Sequence, residues 1–490
     1  MKRYSLYKYA APGCALGTCA LACLLAGSAH ATPPMIAAPE VENNQPGQTN
    51  EVPGGNFLST LRRSNTLLGD MGGLRPLMSK YGLSLNILET SEVLGNVTGG
   101  TRHGVDYDGL TQMVLQMDTQ RAFGLYGGTF NVSGLQVHGR NESADYLSTL
   151  QTSSGIEADR STRLWELWYQ QKFLEEDRLD IKVGQQSLDQ EFMVSQNALL
   201  FVNTMFGWPM LPSADMPGGG PAYPLSAPGV RFRARPIDPL TFLVGVYNGS
   251  PTSNQPGDPQ QVNGSGTSFP LGGGALVIAE MQYSYPAIGT MVYSDKADPL
   301  ARVFKLGFWY DTESFPDQQY DDSGLSLASP LSSGNPAPHR GNYAFYGVAD
   351  QMIWRDPHDA DGDRSISALI RAMGSPLEDR NLIDFSLNAG FTFHEPFMHR
   401  DDDNCGIAMG FTKVGDHASG LDQDTGGIPV RSTETFIEAT YQYQLTPWCQ
   451  IQPDFQYIFN PGAGLANPNS PTGERIKDEL VLGLRMNVLF

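Results

Sequence analysis

One predicted strand of this chain carries a row of arginines on a single face. Successive side chains of a strand point to opposite sides, so Arg231, Arg233 and Arg235 lie together, with apolar residues between them. The two strands before it place these polar or aromatic side chains on one face: Glu166, Trp168, Gln170, Asp180 and Lys182. Acids and bases that face an enclosed space create a transverse field, which orients polar solutes and limits the passage of bare ions. The alternative is a network of ion pairs that only holds a wall together.

The longest connection between predicted strands, 186–227, directly precedes the arginine row. It offers several side chains that could line a narrow passage: Asp189, Glu191, Gln196, Asn203 and Trp208. Long loops without secondary structure of their own are usually functional, so this one is the candidate constriction. The alternative is a surface loop in which Phe201, Phe206 and Trp208 pack against one another.

Signals for enzyme chemistry are weak. His394 and His399 are separated by one residue more than in the zinc-protease motif, and Pro396 would break the helix that the motif requires. The acidic stretch 359–363 lacks the bidentate glutamate of a calcium loop. Glu166, Glu438 and Asp454 could be imagined as hydrolytic carboxylates, but no spacing brings two of them together. The sequence therefore predicts no catalytic residue, no metal and no cofactor.

Alternation of apolar and polar residues defines the elements that hold these groups. The final segment has Leu480, Leu482, Leu484, Met486 and Val488 on one face and ends on Phe490. This pattern is typical of a strand that crosses a bilayer. About sixteen such strands can be placed, beginning near residues 83, 109, 128, 162, 178, 228, 240, 274, 301, 342, 364, 383, 405, 433, 448 and 479. On two late strands Glu438, Gln452 and Asp454 fall on the polar, inward face.

The connections alternate in length. The longer ones are 95–108, 139–161, 186–227, 248–273, 315–341, 416–432 and 460–478, with 374–382 as a short exception. The others, mostly shorter, are 121–127, 174–177, 236–239, 286–300, 356–363, 395–404 and 445–447. This sorting predicts a transmembrane antiparallel β-barrel with long loops outside and short turns in the periplasm.

The N-terminal region predicts export. Basic residues, an apolar run and the Ala29-His30-Ala31 site predict a signal peptide over 1–31. Residues 32–55, rich in Pro, Asn and Gln, are predicted to be disordered, and 56–80 to form a short amphipathic helical segment. The barrel would then occupy 81–490. The net charge of −20 excludes nucleic-acid binding through a basic face. Strand parity places Cys405 and Cys449 on the lipid side, two strands apart, which predicts two free thiols.

Several blocks of the sequence resemble the carbohydrate-selective porin family (OprB type). They are residues 165–171 (Trp-Glu-Leu-Trp-Tyr-Gln-Gln), 180–185 with Asp189 and Phe192, 222–224 with 228–231, 342–351, and 434–438 through 453–457. The likeness runs in order from about Tyr81 to Phe490. It implies a sixteen-stranded barrel that passes sugars down their gradient, with a constriction built from inward-folded loops. A pore for neutral sugars needs paired donors and acceptors for hydroxyls, and aromatic faces for the ring.

These observations predict a passive porin in the Gram-negative outer membrane, not an enzyme. The expected solutes are small sugars, glucose-like monosaccharides first. The expected pore-lining residues are Glu166, Trp168, Gln170, Asp180, Lys182, Asp189, Arg231, Arg233, Arg235, Glu438, Gln452 and Asp454. Expected partners are membrane lipid and lipopolysaccharide, the barrel-assembly machinery through the strand ending at Phe490, and further copies of the chain. The alternatives are a general diffusion porin and, more remotely, a β-rich enzyme that acts on polysaccharide.

Overall fold

Sixteen antiparallel strands close into one barrel within the residues that the structure, a computed structural model, describes: 65–253, 255–286, 300–357, 364–397 and 400–490. Each strand pairs with its neighbours in sequence, and β1 pairs with β16 to close the ring. The strands are β1 Leu83–Gly100, β2 Gly104–Asp118, β3 Gly128–Gly139, β4 Ser161–Phe173, β5 Leu179–Gln186, β6 Ala227–Ile237, β7 Leu240–Asn248, β8 Ala275–Tyr285, β9 Arg302–Asp321, β10 Pro336–Arg355, β11 Ser365–Gly374, β12 Ile383–His394, β13 Asn404–Val414, β14 Thr433–Thr446, β15 Cys449–Phe459 and β16 Lys477–Leu489. The predicted fold class and strand number are confirmed.

The period-two pattern of the sequence becomes the two faces of the barrel wall. On β6, Phe232 is 46% exposed on the outside while Arg231 is 1% exposed on the inside. On β14, Ile437 faces out and Glu438 is fully buried inside. Because a strand alternates its side chains, this parity fixes which residues can reach the lumen.

Short helices lie outside the strands. They are α1 Leu74–Lys80, α2 Thr119–Phe123, α3 Met210–Asp215, α4 Pro259–Val262, α5 Asp416–Thr425 and α6 Pro461–Gly464. Among the described residues, none of these helices has the length and apolar character to cross a bilayer. The predicted segments 1–31 and 32–55, and the first part of 56–80, lie outside the described residues. Within the remainder of 56–80, residues 65–73 form turns before α1.

The segment around α1 fastens the end of the chain. The Leu67 N–H donates to the Leu489 carbonyl at 2.8 Å, and Arg75 donates to the terminal Phe490 oxygen at 2.5 Å. The Phe490 N–H in turn donates to the Ile87 carbonyl at 2.9 Å. The described N-terminal residues therefore close over the seam between β1 and β16.

The long and short connections lie on opposite rims, with two corrections. The predicted connection 315–341 spans only 322–335, because β9 runs to Asp321 and β10 begins at Pro336. The predicted long connection 95–108 is wrong, because β1 continues to Gly100 and β2 begins at Gly104, which leaves only 101–103. Asn96 still pairs with Val481, and Val105 and Tyr107 continue the outward alternation. Gly-rich sequence there indicated a loop, but the barrel wall extends through it. The opposite rim carries short turns such as 174–178, 238–239 and 447–448.

The prediction of two unbridged cysteines is confirmed. Cys405 on β13 and Cys449 on β15 are free thiols on strands separated by β14. Both positions have outward parity, although Cys449 is buried.

Candidate functional site

The long loop 187–226, between β5 and β6, packs inside the barrel. Its apolar side chains join a buried cluster with inward-facing wall residues; the cluster includes Phe192, Met193, Phe206, Trp208, Leu211, Ile278, Trp309, Tyr346, Leu369 and Phe436. The rings of Phe206 and Phe436 meet edge to face at 5.5 Å between centroids. Burial of one large apolar side chain stabilises the folded state by roughly 1.5–3 kcal/mol. The loop is therefore held inside the barrel by packing as well as by hydrogen bonds.

Two carboxylates of the wall bind the backbone of the loop. Glu280 on β8 accepts from the Met193 N–H at 2.8 Å. Asp350 on β10 accepts from the Ser195 hydroxyl at 2.6 Å and from the Gln196 N–H at 3.1 Å. Charged acceptors form stronger hydrogen bonds than neutral ones, so these contacts fix the path of the loop.

A third carboxylate, Glu438 on β14, binds the loop further along. It accepts from the N–H groups of Val202 and Asn203 at 2.5 and 3.0 Å. The Asn203 amide also donates to Gln456 on β15 at 2.9 Å. The loop thus spans from β8 to β15 across the barrel interior.

Arg371 on β11 donates hydrogen bonds to carbonyl groups of the loop, whereas the carboxylates accept from its N–H groups. Its guanidinium donates to the carbonyls of Met193 at 2.9 Å, Gly207 at 3.0 Å and Met205, and also to the Asn388 side chain. The side chain is 1% exposed. One buried guanidinium group therefore donates hydrogen bonds to three carbonyl groups of the loop. We call Glu280, Asp350, Arg371 and Glu438 the anchoring wall.

The second long loop, 140–160, also folds inward and contacts the first. Glu434 on β14 accepts from the N–H groups of Leu150 and Gln151 at 2.9 and 2.7 Å. The Gly155 N–H donates to the Val202 carbonyl at 2.8 Å. The two loops therefore form one inner layer rather than two separate flaps.

Two acids in loop 140–160 have pKa values raised above that of an ordinary glutamate. Burial raises the pKa of Glu157 to about 7, against hydrogen bonds from Ser143 and Ser153 that favour its charged form. Burial, helped by the charge of Glu157, raises the pKa of Glu142 to about 8. The loop thus changes charge near neutral pH.

The predicted arginine row meets acids from both the wall and the loop. Arg231 bonds to Asp180 on β5 and to Glu191 of the loop, the latter at 2.5 Å. Arg233 also pairs with Asp180, and Lys182 pairs with Glu191. Burial alone would raise the pKa of Glu191, but Arg231 and Lys182 outweigh it and lower that pKa to about 2. We call Asp180, Lys182, Arg231 and Arg233 the ladder wall.

The other residues of β4 and β6 that were predicted to line the pore lie beside the ladder wall, at the start of the loop or at the short-turn rim. Trp168 on β4 lies under the Lys182 ammonium, 4.3 Å from the ring centroid, and Gln170 is buried on the same face. Glu166 accepts from the Ser187 N–H at 3.1 Å and so holds the start of the loop. Arg235, in contrast, donates to a carbonyl in the 174–178 turn and lies at the short-turn rim.

Inside loop 187–226, Trp208 and Asp189 form internal contacts. The prediction that Trp208 lines a passage is wrong, because its ring is fully buried in the apolar cluster and its indole N–H donates to Gly219. Asp189 accepts from the Ser187 hydroxyl and the Tyr223 N–H, at 2.5 and 3.1 Å. Burial raises the pKa of Asp189 to about 6.

Gln452 and Asp454, on β15, lie near Glu438 and apart from the ladder wall. Gln452 donates to the Leu200 carbonyl at 2.8 Å, and Asp454 accepts from Gln456 at 2.9 Å. The structure therefore separates the predicted set into a ladder group on β4–β6 and a loop-holding group on β14 and β15. Sequence analysis missed Glu280, Asp350, Arg371 and Glu434, although each is a polar residue at inward parity on a predicted strand.

A small polar cavity of about 10 Å³ lies beside the loop, toward the short-turn rim. Its lining is Gln196, Asn197, Leu200, Ser365, Ser367, Thr392, His394 and Asn404. His394 bonds to Asn404 at 2.9 Å. A space of this size holds about one water molecule and is too small for a sugar.

Within the described residues, no group of His, Cys, Asp and Glu side chains could hold a metal ion. His399 and the acidic stretch 359–363 lie outside those residues, so the structure does not bear on them.

Comparisons with known proteins agree with the sequence resemblance. The family described as "Carbohydrate-selective porin, OprB family" matches residues 102–490. Porin B of Pseudomonas aeruginosa is 24% identical over 456 residues, which cover 87% of this chain and 92% of that protein. The putative porin QuiX of Acinetobacter baylyi is 20% identical over 462 residues, covering 86% and 93% of the two chains.

A solved structure shares the fold. The high-pH structure of OprB from Pseudomonas putida superposes with a TM-score of 0.72 at 22% identity, covering 87% of this chain and 99% of that one. The low-pH structure of the same protein gives a TM-score of 0.52 at 16% identity. At these identities the likeness establishes the fold alone.

Proposed function

This chain belongs to the OprB family of carbohydrate-selective porins, and from that premise we propose that it passes glucose-like monosaccharides past a constriction formed by loop 187–226. Members of this family are channels of the Gram-negative outer membrane, not enzymes. In this proposal transport is passive: the sugar moves down its own concentration gradient, without a cofactor or an energy source. The pore-lining residues are those of the ladder wall with Glu191 and Trp168.

The observation that carries the proposal is the pairing of charges where the loop meets the ladder wall. Glu191 reaches from the loop to Arg231 and Lys182, while Asp180 neutralises Arg231 and Arg233 from the wall. Paired charges offer donors and acceptors to hydroxyls without the strong single-sign field that would concentrate ions. A neutral, hydroxyl-rich solute gains most from such a surface.

One neighbouring side chain supports the same solute class. Trp168 provides an aromatic side chain beside Lys182, and aromatic faces pack against the C–H side of sugar rings. This surface suits a small neutral sugar better than an anion or a cation.

Liposome swelling with purified protein tests the proposal. We expect glucose to enter faster than an amino acid of similar size, and a disaccharide to enter more slowly than glucose. Entry ranked by size alone would leave a general diffusion porin, and absence of swelling would contradict a channel of this kind.

We also propose that the barrel contacts membrane lipid, lipopolysaccharide and the barrel-assembly machinery. Membrane lipid and lipopolysaccharide would surround the outward apolar face, where Phe232 and Ile437 lie. The barrel-assembly machinery would recognise the last strand, which ends at Phe490. Deletion of Phe490 should lower the yield of folded barrel in outer membranes without altering the synthesis of the chain.

A further inference from the structure

A basic cavity, which we call the rim cavity, opens at the long-loop rim of the barrel. It lies between the turn 101–103, which joins β1 to β2, and the segment 467–477, which leads into β16, and its volume is about 540 Å³. Its charged lining residues are Arg102, Arg475, Lys477 and Glu474, and His103 lies beside them. The whole chain has a net charge of −20, so this excess of bases is a local feature of the rim.

Hydrogen bonds join the two walls of the rim cavity. The side chain of Asn469 donates to the Thr101 carbonyl at 2.9 Å, and the side chain of Asn467 donates to the Gly100 carbonyl at 3.5 Å. Gly100 also pairs with Lys477 in the register of β1 and β16. The bases are therefore carried on backbone that the seam of the barrel holds in place.

Two of the bases have unused donors. The side chains of Arg475 and Lys477 are exposed, and neither forms an ion pair within the part of the chain that the structure describes. Arg475 donates one hydrogen bond, to the Val430 carbonyl at 3.2 Å. A guanidinium group has five N–H donors and an ammonium group has three, so most of the donors of these two side chains are available to a ligand.

The third base, Arg102, is held in one orientation. Its Nε donates to the Asp145 carbonyl at 2.8 Å, and its guanidinium carbon lies 4.7 Å from the centroid of the Tyr146 ring. The Asp145 carboxylate is 4.0 Å away, and the two side chains are 59% and 37% exposed, so their ion pair contributes little. A base that is already oriented loses less side-chain entropy when it binds a ligand.

Three bases at one cavity favour a ligand with more than one negative charge. A phosphate monoester carries roughly 1.5–2 negative charges at neutral pH and three acceptor oxygens. A carboxylate carries a single charge on its two oxygens. Guanidinium groups bind phosphate oxygens in pairs, whereas an ammonium group binds them as a point charge. Arg102, Arg475 and Lys477 therefore suit a phosphate group better than a carboxylate.

The remaining surface of the rim cavity indicates what carries the phosphate. A volume of about 540 Å³ exceeds the space of a phosphate group and lies within the range of small-molecule sites, about 300–1,000 Å³. Thr98, Thr101, Asn467 and Ser470 also line it, and their hydroxyl and amide groups can donate to and accept from the hydroxyls of a sugar. We propose that the rim cavity binds a phosphorylated sugar, with the phosphate held by its three bases.

Two sources contain this chemistry. One is a soluble sugar phosphate at the mouth of the channel, and the other is the phosphorylated sugar headgroup of lipopolysaccharide in the outer leaflet. The residues that line the rim cavity lie outside loop 187–226 and the ladder wall, so its ligand is independent of the sugar that passes the constriction. A soluble and a lipid probe therefore distinguish the two sources, while both report on the same site.

Ligand binding to the purified full-length barrel in detergent tests the proposal. The probes are glucose 6-phosphate and lipid A, each compared with its dephosphorylated form by native mass spectrometry. We expect at least one phosphorylated probe to bind about tenfold or more tightly than its dephosphorylated form, and an excess of glucose not to displace it. Either preference supports the site and names the source. Absence of binding, equal binding of the two forms of each probe, or displacement by glucose would overturn the proposal.

Removal of the three bases separates this site from general attraction to the barrel. The variant with Arg102→Gln, Arg475→Gln and Lys477→Gln should bind the preferred probe about tenfold more weakly, since several exposed charge pairs each contribute a small part. The barrel should stay heat-modifiable and sugar-permeable, because these residues lie outside the constriction. Undiminished binding in this variant would contradict the assignment.

A matched control removes the same charge elsewhere on the same rim. Arg160→Gln, Arg340→Gln and Lys413→Gln change three exposed bases next to other long loops, and this variant should bind the probe as the wild type does. Equal weakening in the two triple variants would mean that total charge attracts the probe, and it would overturn the proposal. The comparison of phosphorylated with dephosphorylated probes uses the unaltered chain and so does not depend on the folding of either variant.

Discussion

The two walls of the lumen use ionisable side chains in different ways. The anchoring wall directs its charges to the backbone of loop 187–226: the acids bind N–H groups and Arg371 binds carbonyls. The ladder wall directs its charges to other side chains, through Asp180 and Glu191. The anchoring groups are almost fully buried, as are Arg231 and Asp180 of the ladder wall, whereas the Glu191 and Arg233 side chains beside them are 20% and 12% exposed. The comparison indicates that the residues that fix the loop are distinct from the exposed residues that we propose contact the solute.

The largest effect should follow from removal of the anchoring cation. Arg371→Met leaves three loop carbonyls without their donor, and each hydrogen bond to a charged group contributes about 1.5–3 kcal/mol. We expect the loop to leave its position and single-channel conductance to rise several-fold. Arg302→Met, outside the lumen on β9, is the matched control and should keep wild-type conductance. An unchanged conductance in Arg371→Met would remove the distinction between the walls.

A smaller effect should follow on the ladder side. Glu191→Gln removes the charge that pairs with Arg231 and Lys182, while the loop keeps its contacts to the anchoring wall. We expect the reversal potential in a salt gradient to shift toward anions, with conductance changed by less than in Arg371→Met. A conductance rise equal to that of Arg371→Met would mean that the ladder also holds the loop.

The pH dependence of local stability should also differ between loop 140–160 and the segment around Glu191. The raised pKa values of Glu157 and Glu142, about 7 and about 8, mean that the folded loop 140–160 holds protons that the unfolded chain releases. Their contribution to stability is full below the ordinary pKa of a glutamate and is lost as pH rises through these values. Glu191, with its pKa lowered to about 2, stays ionised over this range.

We therefore expect amide exchange in loop 140–160 to accelerate between about pH 6 and about pH 9, after correction for the intrinsic pH dependence of exchange. The segment around Glu191 should show no comparable change. Equal acceleration in both regions would contradict the assignment of the pH response to Glu142 and Glu157.

The smallest effect should come from the aromatic member of the ladder group. Trp168→Leu removes the ring beside Lys182 that we propose packs against the sugar, and an aromatic packing contact contributes roughly 1 kcal/mol. We expect glucose binding in the channel to weaken by about fivefold, with ion conductance nearly unchanged. Current-noise analysis with added glucose measures both quantities, and an unaltered glucose affinity would exclude a role for this ring.

The wall of the barrel could be predicted from the sequence because each strand carries its own evidence. Period-two alternation placed most strand starts within a few residues and assigned inward parity to Arg231, Glu438 and Gln452. The failures are local: Gly-rich sequence hid the continuation of β1 and β2 through 95–108. Side-chain parity follows from local backbone geometry alone.

The anchoring wall could not be predicted because its contacts depend on the path of a long loop. Asp350 and Ser195 are 155 positions apart, and Arg371 and Met193 are 178 apart. No alternation pattern specifies which wall residue a loop carbonyl will meet. The same limit explains Trp208, whose place in the longest loop suggested that it lines a narrow passage but whose position in the fold buries it in the apolar cluster.

The central claim is that solute selection belongs to the ladder wall, and sugar block in Arg233→Ala channels tests it most directly. The change leaves the anchoring wall intact, so conductance should stay close to wild type. Loss of a hydrogen bond from a charged donor, about 1.5–3 kcal/mol, should weaken glucose block by about tenfold or more. Unchanged conductance together with unchanged glucose block would contradict the account and leave the arginine row as a structural ion-pair network.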